Sequence, residues 1–308
     1  MDLRIPHLAT PYTSVLNPSV READEQVIAW VRSLGLAPSP RWVDGYRRAK
    51  FTWFSARCFP EADLPQLALG AAFNVWLFLL DDSCDEIPQG QRYEYVRQLT
   101  AQLTLALAGY PPADQPLVQG LADLWERLKT LSPPAWQERF VDNMLRYLDA
   151  CKLEAEWLDM DAWPTPEAYT RYRPFLGAVH LEPALAEVLC RRVLPPRRDP
   201  RLDTLTLLCC RIVCWSNDLF SLQKEHARGD KGNLALVLQH AKKGSLKEAI
   251  REAAAIHDGD LQRFEALAGE LPDNRYVTSL EHIISANMEW SIHDSRRYRF
   301  TFEDSVTA

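Results

Sequence analysis

The sequence predicts an all-α fold, and three observations carry that expectation. Apolar residues recur at i, i+3, i+4 and i+7 over long stretches, the period of one helix face. Glycine is scarce, 12 in 308 residues, and few segments show the alternation of strands. Proline-containing segments divide the chain into pieces of roughly 15 to 30 residues, the length of ordinary to long helices. The expected architecture is a single domain, residues 1–308, built as a bundle of about ten or more helices.

Taken in order, the helix junctions are expected at Pro38–Pro40, at Pro111-Pro112 with Pro116, and at Pro133-Pro134. Further junctions follow at Pro164–Pro166, at Pro195-Pro196 with Pro200, and at Pro272. Proline cannot continue a helix but suits its first turn. One junction lacks proline. There Gly244 ends one helix, and Ser245 with Glu248 three residues on reads as a capping box for the next. Residues 301–308 are expected to be flexible, and so are residues 1–12 unless they pack across the domain. No repeat, low-complexity tract or strong linker interrupts the pattern.

Hydrophobic residues make up 47% and charged residues 25% of the chain, ample for a sizeable core. The net charge of −7 argues against nucleic acid and against an anionic membrane surface as partners. An anionic substrate must therefore be recruited through bound cations or a local basic cluster. The longest apolar runs, Ala71–Leu80 and Leu205–Trp215, read as too short or too interrupted (by Arg211) to insert into a membrane. The seven cysteines are odd in number and form no CxxC pair, so free thiols in a reducing compartment are expected. With no hydrophobic signal segment at the start, the expectation is a soluble cytoplasmic protein.

Two acidic clusters carry the chemistry. The first, Asp81-Asp82-Ser83-Cys84-Asp85-Glu86, follows the apolar run directly. On a helix Asp81 and Asp85 share a face above Leu77, Phe78 and Asn74, at the rim of an apolar wall. Like charges four apart repel, and a helix C-terminus disfavours anions, so a compensating cation is expected there. The second cluster is Asn217, Ser221 and Glu225, which climb one helix face over about 12 Å. Amide, hydroxyl and carboxylate oxygens are hard ligands, suited to Mg2+ and poorly suited to zinc. Either cluster alone could be a solvated polar stripe. Together they read as two halves of one metal site. No histidine pair has metal spacing, and no glycine-rich nucleotide loop or GxSxG elbow is present.

With those motifs the chain resembles a class I terpene synthase of the bacterial type, over essentially its whole length. The resemblance implies an α-helical bundle around a central apolar cavity. It also implies three Mg2+ ions, with Mn2+ an allowed substitute, and a prenyl diphosphate substrate, most often farnesyl diphosphate. Asp81 and Asp85 would be metal ligands on one wall; Asn217, Ser221 and Glu225 would be ligands on the other. The stretch Tyr169-Thr170-Arg171-Tyr172-Arg173-Pro174-Phe175-Leu176-Gly177 resembles that carrying the family's diphosphate-sensing arginine, with Arg173 or Arg171 in that role. Leu176 and Gly177 would then be the linker and effector positions, the Gly177 carbonyl facing the leaving carbon; a leucine there departs from the usual polar linker. Lys224, Arg297 and Tyr298 would donate to diphosphate oxygens. Dimers are common among similar enzymes, so a homodimer is compatible with the resemblance.

The implied reaction is ionisation of the substrate and cyclisation of the resulting allylic cation. A shorter or longer substrate, geranyl or geranylgeranyl diphosphate, gives one alternative. A chain-elongating prenyltransferase is another, although such enzymes typically carry two DDxxD motifs. A non-catalytic helical scaffold is the alternative outside enzymes. Trp53, Phe54, Phe73, Trp76, Phe78, Phe175, Trp215 and Trp290 are candidates for the cavity lining. Asn287 is a candidate inward-facing residue with no assigned role. The charged, glycine-containing segment His226–Asn233 reads as a loop that moves when the site is loaded.

Overall fold

Prolines open six of the helices, one of them at Pro40. Pro116, Pro134, Pro166 and Pro200 each stand at the first helical position and Pro65 at the second, where the missing N–H costs nothing. The computed structural model describes residues 3–36, 40–195, 198–271 and 274–303. Among these, thirteen α-helices form: α1 (Val20–Ser33), α2 (Pro40–Ala49), α3 (Phe51–Cys58), α4 (Leu64–Asp85), α5 (Arg92–Leu107), α6 (Pro116–Leu131), α7 (Pro134–Asp159), α8 (Pro166–Leu176), α9 (Leu181–Leu189), α10 (Pro200–Arg228), α11 (Leu234–Lys242), α12 (Leu246–Gly269) and α13 (Arg275–Glu289). A π-helical turn, Trp290–Asp294, continues α13. The junction prolines Pro38, Pro196 and Pro272 lie outside the described residues.

The capping box expected at Ser245 is formed, with Glu248 returning a carboxylate oxygen to the Ser245 backbone N–H at 3.1 Å. Lys243 (φ 52°), rather than Gly244, takes the left-handed conformation that ends α11. Breaks that the proline pattern does not mark lie between α2 and α3, at Lys50 (φ 57°), and between α8 and α9, at Ala178 (φ 55°).

α4 and α10 form the centre. α4 packs against α1, α3, α6 and α9, and α10 against α8, α11, α12 and α13. Residues 67–77 of α4 are buried on every face, as expected for a helix inside a bundle rather than on its surface. Both helices are long and apolar enough to cross a membrane by length and composition, which corrects the shorter runs read from sequence. Of their most apolar windows, 67% and 78% are buried inside the protein, so their apolar surface is satisfied by the core. Buried residues from Leu3 to Trp290 join one continuous cluster.

The N-terminal segment takes the exception left open for it. Arg4–Ile5 (β1) pairs in parallel with Thr301–Phe302 (β2), Ile5 is 1% exposed, and His7 stacks on Phe302 at 4.4 Å. This pairing ties the N-terminal segment to the domain and corrects the expectation of a flexible tail for residues 301–303, whose Glu303 N–H donates to the Ile5 carbonyl at 2.8 Å; 304–308 lie outside the described residues.

Candidate active site

α4 carries its apolar faces until the last turn and a half, where Asp81 and Asp85 emerge on one side. Both line a cavity of about 240 Å³. Asp82, one residue on, faces away into a separate cavity beside Trp42 and Phe51. The C-terminal part of α10 forms the opposite wall. Asn217, Lys224 and Glu225 line the same cavity, while Ser221 is buried one turn between them. The Ser221 hydroxyl donates to the Asn217 carbonyl at 2.8 Å. Every site residue expected from sequence except Ser221 therefore reaches one cavity.

A residue absent from the expected site organises this wall. Asp218 is 1% exposed in its side chain and fully claimed. Its Oδ1 accepts from Arg173 Nε (2.9 Å) and Nη2 (2.7 Å), and its Oδ2 accepts from the Tyr169 hydroxyl (2.7 Å) and the Leu234 N–H (2.9 Å). These bonds hold α8, α10 and α11 together at the cavity edge. Burial opposes the Arg173 charge, but Asp218 and Tyr169 keep this guanidinium fully ionised. Arg173 Nη2 also donates to Asn217 Oδ1 at 3.0 Å, and Asn217 Nδ2 donates to the Tyr298 hydroxyl at 3.0 Å. Arg171 is exposed and does not line the cavity, so the choice between the two arginines falls on Arg173. Asn233 completes the wall, donating to Glu225 Oε2 at 2.7 Å while its own side-chain oxygen caps α11.

Gly177 ends α8 at the cavity surface because nothing larger fits. A Cβ there would lie 2.8 Å from Arg173 Nη1 and 2.8 Å from Cys214 Sγ. Leu176 lines the cavity beside it. Gly177→Ala should therefore displace the Arg173 guanidinium. The expected result is at least a tenfold loss of turnover with a stability cost of only about 1–3 kcal/mol, the usual cost of overpacking. A variant with wild-type kinetics would show that Arg173 does not need its observed place.

Arg297 closes the rim from the C-terminal segment. Its guanidinium rests over Phe78 (5.4 Å) and Phe51 (5.6 Å), with Asp82 at 3.5 Å and Asp81 at 4.0 Å. Tyr298 lines the cavity next to it. The segment after Glu225 is only partly a loop, since α10 runs to Arg228 before Gly229 (φ 76°) ends it. In this state it is pinned across the mouth: Arg228 pairs with Asp85 at 2.9 Å and Lys231 with Asp161 at 2.6 Å.

The mouth is electrostatically unfinished. Asp81, although 60% exposed toward the cavity mouth, is pushed up to about 6 by the enclosing walls and by Asp85. Glu225 is pushed up to about 7 by burial and Asp218. Glu154 on α7, which sequence analysis passed over, lines the same mouth and rises to about 8 through burial and Asp81. In all three burial is the larger cause and a neighbouring carboxylate adds to it, so each of these carboxyls carries its charge at a cost. Among the described residues no three His, Cys, Asp or Glu side chains converge on one point, since the acidic groups stand on opposed walls. Hard oxygen donors facing one another with unneutralised charge fit divalent cations held between them, jointly with an anionic ligand.

Below the mouth the walls turn apolar. Phe54, Phe78 and Trp290 line the cavity, with Leu77 and Val213. Trp290 is fixed by its indole N–H, which donates to the Ala49 and Lys50 carbonyls, each at 2.9 Å. Phe73, Trp76 and Trp215 are core residues outside the lining. Trp53 and Phe175 also stand outside it, whereas Tyr147 lines it. Asn287 reaches the cavity, its amide donating to Ser216 Oγ at 2.9 Å.

Residues 72–263 match the family described as terpene synthase family 2, C-terminal metal binding. Over 93% of its length the chain is 30% identical to (+)-eremophilene synthase of Sorangium cellulosum, covering 90% of that protein. It is 31% identical, over 94% of its length, to a (+)-T-muurolol synthase ((2E,6E)-farnesyl diphosphate cyclizing) of Roseiflexus castenholzii, covering 92% of it. Among solved structures, the linalool/nerolidol synthase of Streptomyces clavuligerus in complex with 2-fluorogeranyl diphosphate superposes with a TM-score of 0.81. That match is at 25% identity and covers 92% of this chain and 98% of the other.

Proposed function

This chain belongs to the class I terpene synthases of the bacterial type, and from that premise we propose that it ionises and cyclises farnesyl diphosphate with Mg2+ as its metal. The observation that carries this reading is the convergence of both acidic walls and the basic groups Arg173, Lys224 and Arg297 at one mouth of an apolar cavity. In this reading Asp81 and Asp85 hold metal on one wall, and Asn217, Ser221 and Glu225 hold it on the other. Bound Mg2+, three ions in the proposed loading, supplies the positive charge that stabilises the departing diphosphate.

The chain's own residues do the rest. Arg173 is oriented before substrate arrives, because Asp218 holds it in place, and an incoming anion competes with Asn217 Oδ1 for the same guanidinium. Preorganised donors of this kind stabilise charge without reorganisation at the moment of ionisation. Lys224 and Arg297 flank the same opening. Phe78 and Trp290 present ring surfaces to the hydrocarbon chain, where they attract the carbocation and exclude water. The seven free thiols support a reducing compartment, and we place the protein in the cytoplasm.

Farnesyl rather than geranyl or geranylgeranyl diphosphate is supported by the Roseiflexus relative, a farnesyl diphosphate-cyclizing synthase by name. A competition among the three diphosphates should give farnesyl the highest kcat/KM. Preference for another chain length would move the substrate while leaving the reaction class in place. The Asn217, Ser221 and Glu225 pattern favours cyclisation over chain elongation, so adding isopentenyl diphosphate should yield no longer product.

A pH dependence follows from the raised carboxyls. Unfolded Asp and Glu titrate near 4, whereas folded Asp81, Glu225 and Glu154 titrate at about 6, 7 and 8. Between those values the folded state holds protons that the unfolded state lacks, so these groups make stability fall as pH rises from about 4 to about 8. Metal binding needs the ionised forms and reverses that loss. The gain in Tm from Mg2+ with inorganic diphosphate should therefore be larger at pH 8 than at pH 6. An equal gain at both would show that the carboxyls titrate normally.

A further inference from the structure

One buried acid lies apart from the metal-facing walls. Glu182, in the first turn of α9, is 3% exposed and lines the apolar part of the cavity. Asn74 Nδ2 donates to its Oε2 at 3.3 Å and to Ser55 Oγ at 2.9 Å. Because the amide donates, Oε2 is the accepting oxygen, and Oε1 is left to carry the proton. Glu187 on the same helix makes the contrast. It too is buried, but Arg139 (2.6 Å) and the Leu194 N–H (2.9 Å) claim it, and it does not reach the cavity. Among the described residues no cation answers Glu182. Among the described residues the titratable groups that feel its charge are the buried thiols Cys58 on α3 and Cys209 and Cys210 on α10. Burial pushes its carboxyl up to about 8, so it rests neutral. A neutral carboxylic acid in an apolar chamber, held by a chain of side-chain hydrogen bonds and paired with no base, is a Brønsted acid kept ready.

We propose that Glu182 donates its carboxyl proton to an alkene of a neutral, already cyclised intermediate, and recovers a proton from the cation so formed. The inference rests on the cyclase reading. In the step, the Glu182 O–H bond breaks and the alkene π pair forms a new C–H bond. The neighbouring carbon becomes a tertiary cation, leaving a carboxylate beside it. A C–H bond adjacent to a later cationic centre then breaks; its electron pair makes the product alkene and its proton returns to Glu182. The earlier deprotonation that gives the neutral intermediate delivers its proton to the released diphosphate. No oxidant or outside reagent is needed.

The test is turnover of farnesyl diphosphate with Mg2+ in D2O, read by gas chromatography–mass spectrometry. The wild-type product should be one mass unit heavier, with deuterium at a single former alkene carbon. Glu182→Gln keeps the shape and the Asn74 contact but has no acidic proton. It should lose the label and raise the share of a less cyclised hydrocarbon at least tenfold. An unlabelled cyclic product from the wild type overturns the proposal and leaves the cyclase reading standing. Equal labelling in the variant also overturns it. Failure to release diphosphate from farnesyl diphosphate overturns both.

Discussion

Asp81→Asn and Glu225→Gln are expected to lower turnover by about two to three orders of magnitude, the cost typical of removing one preorganised charge-stabilising group, without unfolding the protein. Each substitution removes a carboxylate from a wall of the mouth and none of the core packing. The metal-free stability should move in the opposite direction to the activity. Both carboxyls are held above their ordinary range by enclosure and by carboxylates nearby. An uncharged amide relieves that penalty, so the metal-free variants should melt at or above the wild-type temperature near pH 8. Sites kept for function at a cost in stability behave this way. The stabilisation by Mg2+ with diphosphate should be lost in both variants. Near-normal turnover in the pair would sink the assignment of these residues as metal ligands.

Asp218→Asn should have the largest effect on stability. The substitution leaves the Arg173 guanidinium, 11% exposed, without its carboxylate partner. It also weakens the bonds to the Tyr169 hydroxyl and the Leu234 N–H. Breaking one side of a buried ion pair costs about 3–5 kcal/mol, which for a chain of this size is a fall in Tm on the order of 10 °C. The double variant Asp218→Asn with Arg173→Met should recover part of that loss, because it removes the uncompensated charge, but should remain inactive. If Asp218 acted only by touching metal, its loss would leave the metal-free Tm unchanged. A differential scan of the single and double variants without metal separates the two.

The helices were legible wherever their punctuation was local. Pro116, Pro134, Pro166 and Pro200 mark helix starts because at the first helical position the missing N–H breaks no intrahelical bond. Ser245 with Glu248 was equally plain, since both halves of the box lie within one turn. The break between α8 and α9 carried no such mark. It depends on Ala178 adopting φ 55°, a conformation imposed by packing rather than by residue type. The candidate site divides in the same way. Asp81, Asp85, Asn217, Ser221 and Glu225 were readable because helical spacing alone puts them on common faces.

Which side of the motif helix faced the cavity could not be read for their neighbours. Asp82 points to the far side of the rim, and Asp218 points into the core to hold Arg173. Glu154 and Glu182 were passed over because neither belongs to a spaced acidic motif, and only tertiary packing brings them to the cavity. A glutamate inside the apolar run of residues 178–190 was nevertheless a signal, since an unpaired carboxylate is seldom placed where every neighbour is buried. Among the aromatics, composition could nominate eight candidates, but only the fold separates Phe54, Phe78 and Trp290 from core residues such as Trp76.

Incubating the purified protein with farnesyl diphosphate and Mg2+, beside an identical sample in EDTA, tests the central claim most directly. The organic extract is analysed by gas chromatography–mass spectrometry and the aqueous phase for diphosphate. A cyclic fifteen-carbon product with equimolar diphosphate, absent under EDTA, is the expected result. No diphosphate release with the metal present, or a linear diphosphate lengthened when isopentenyl diphosphate is supplied, would contradict it.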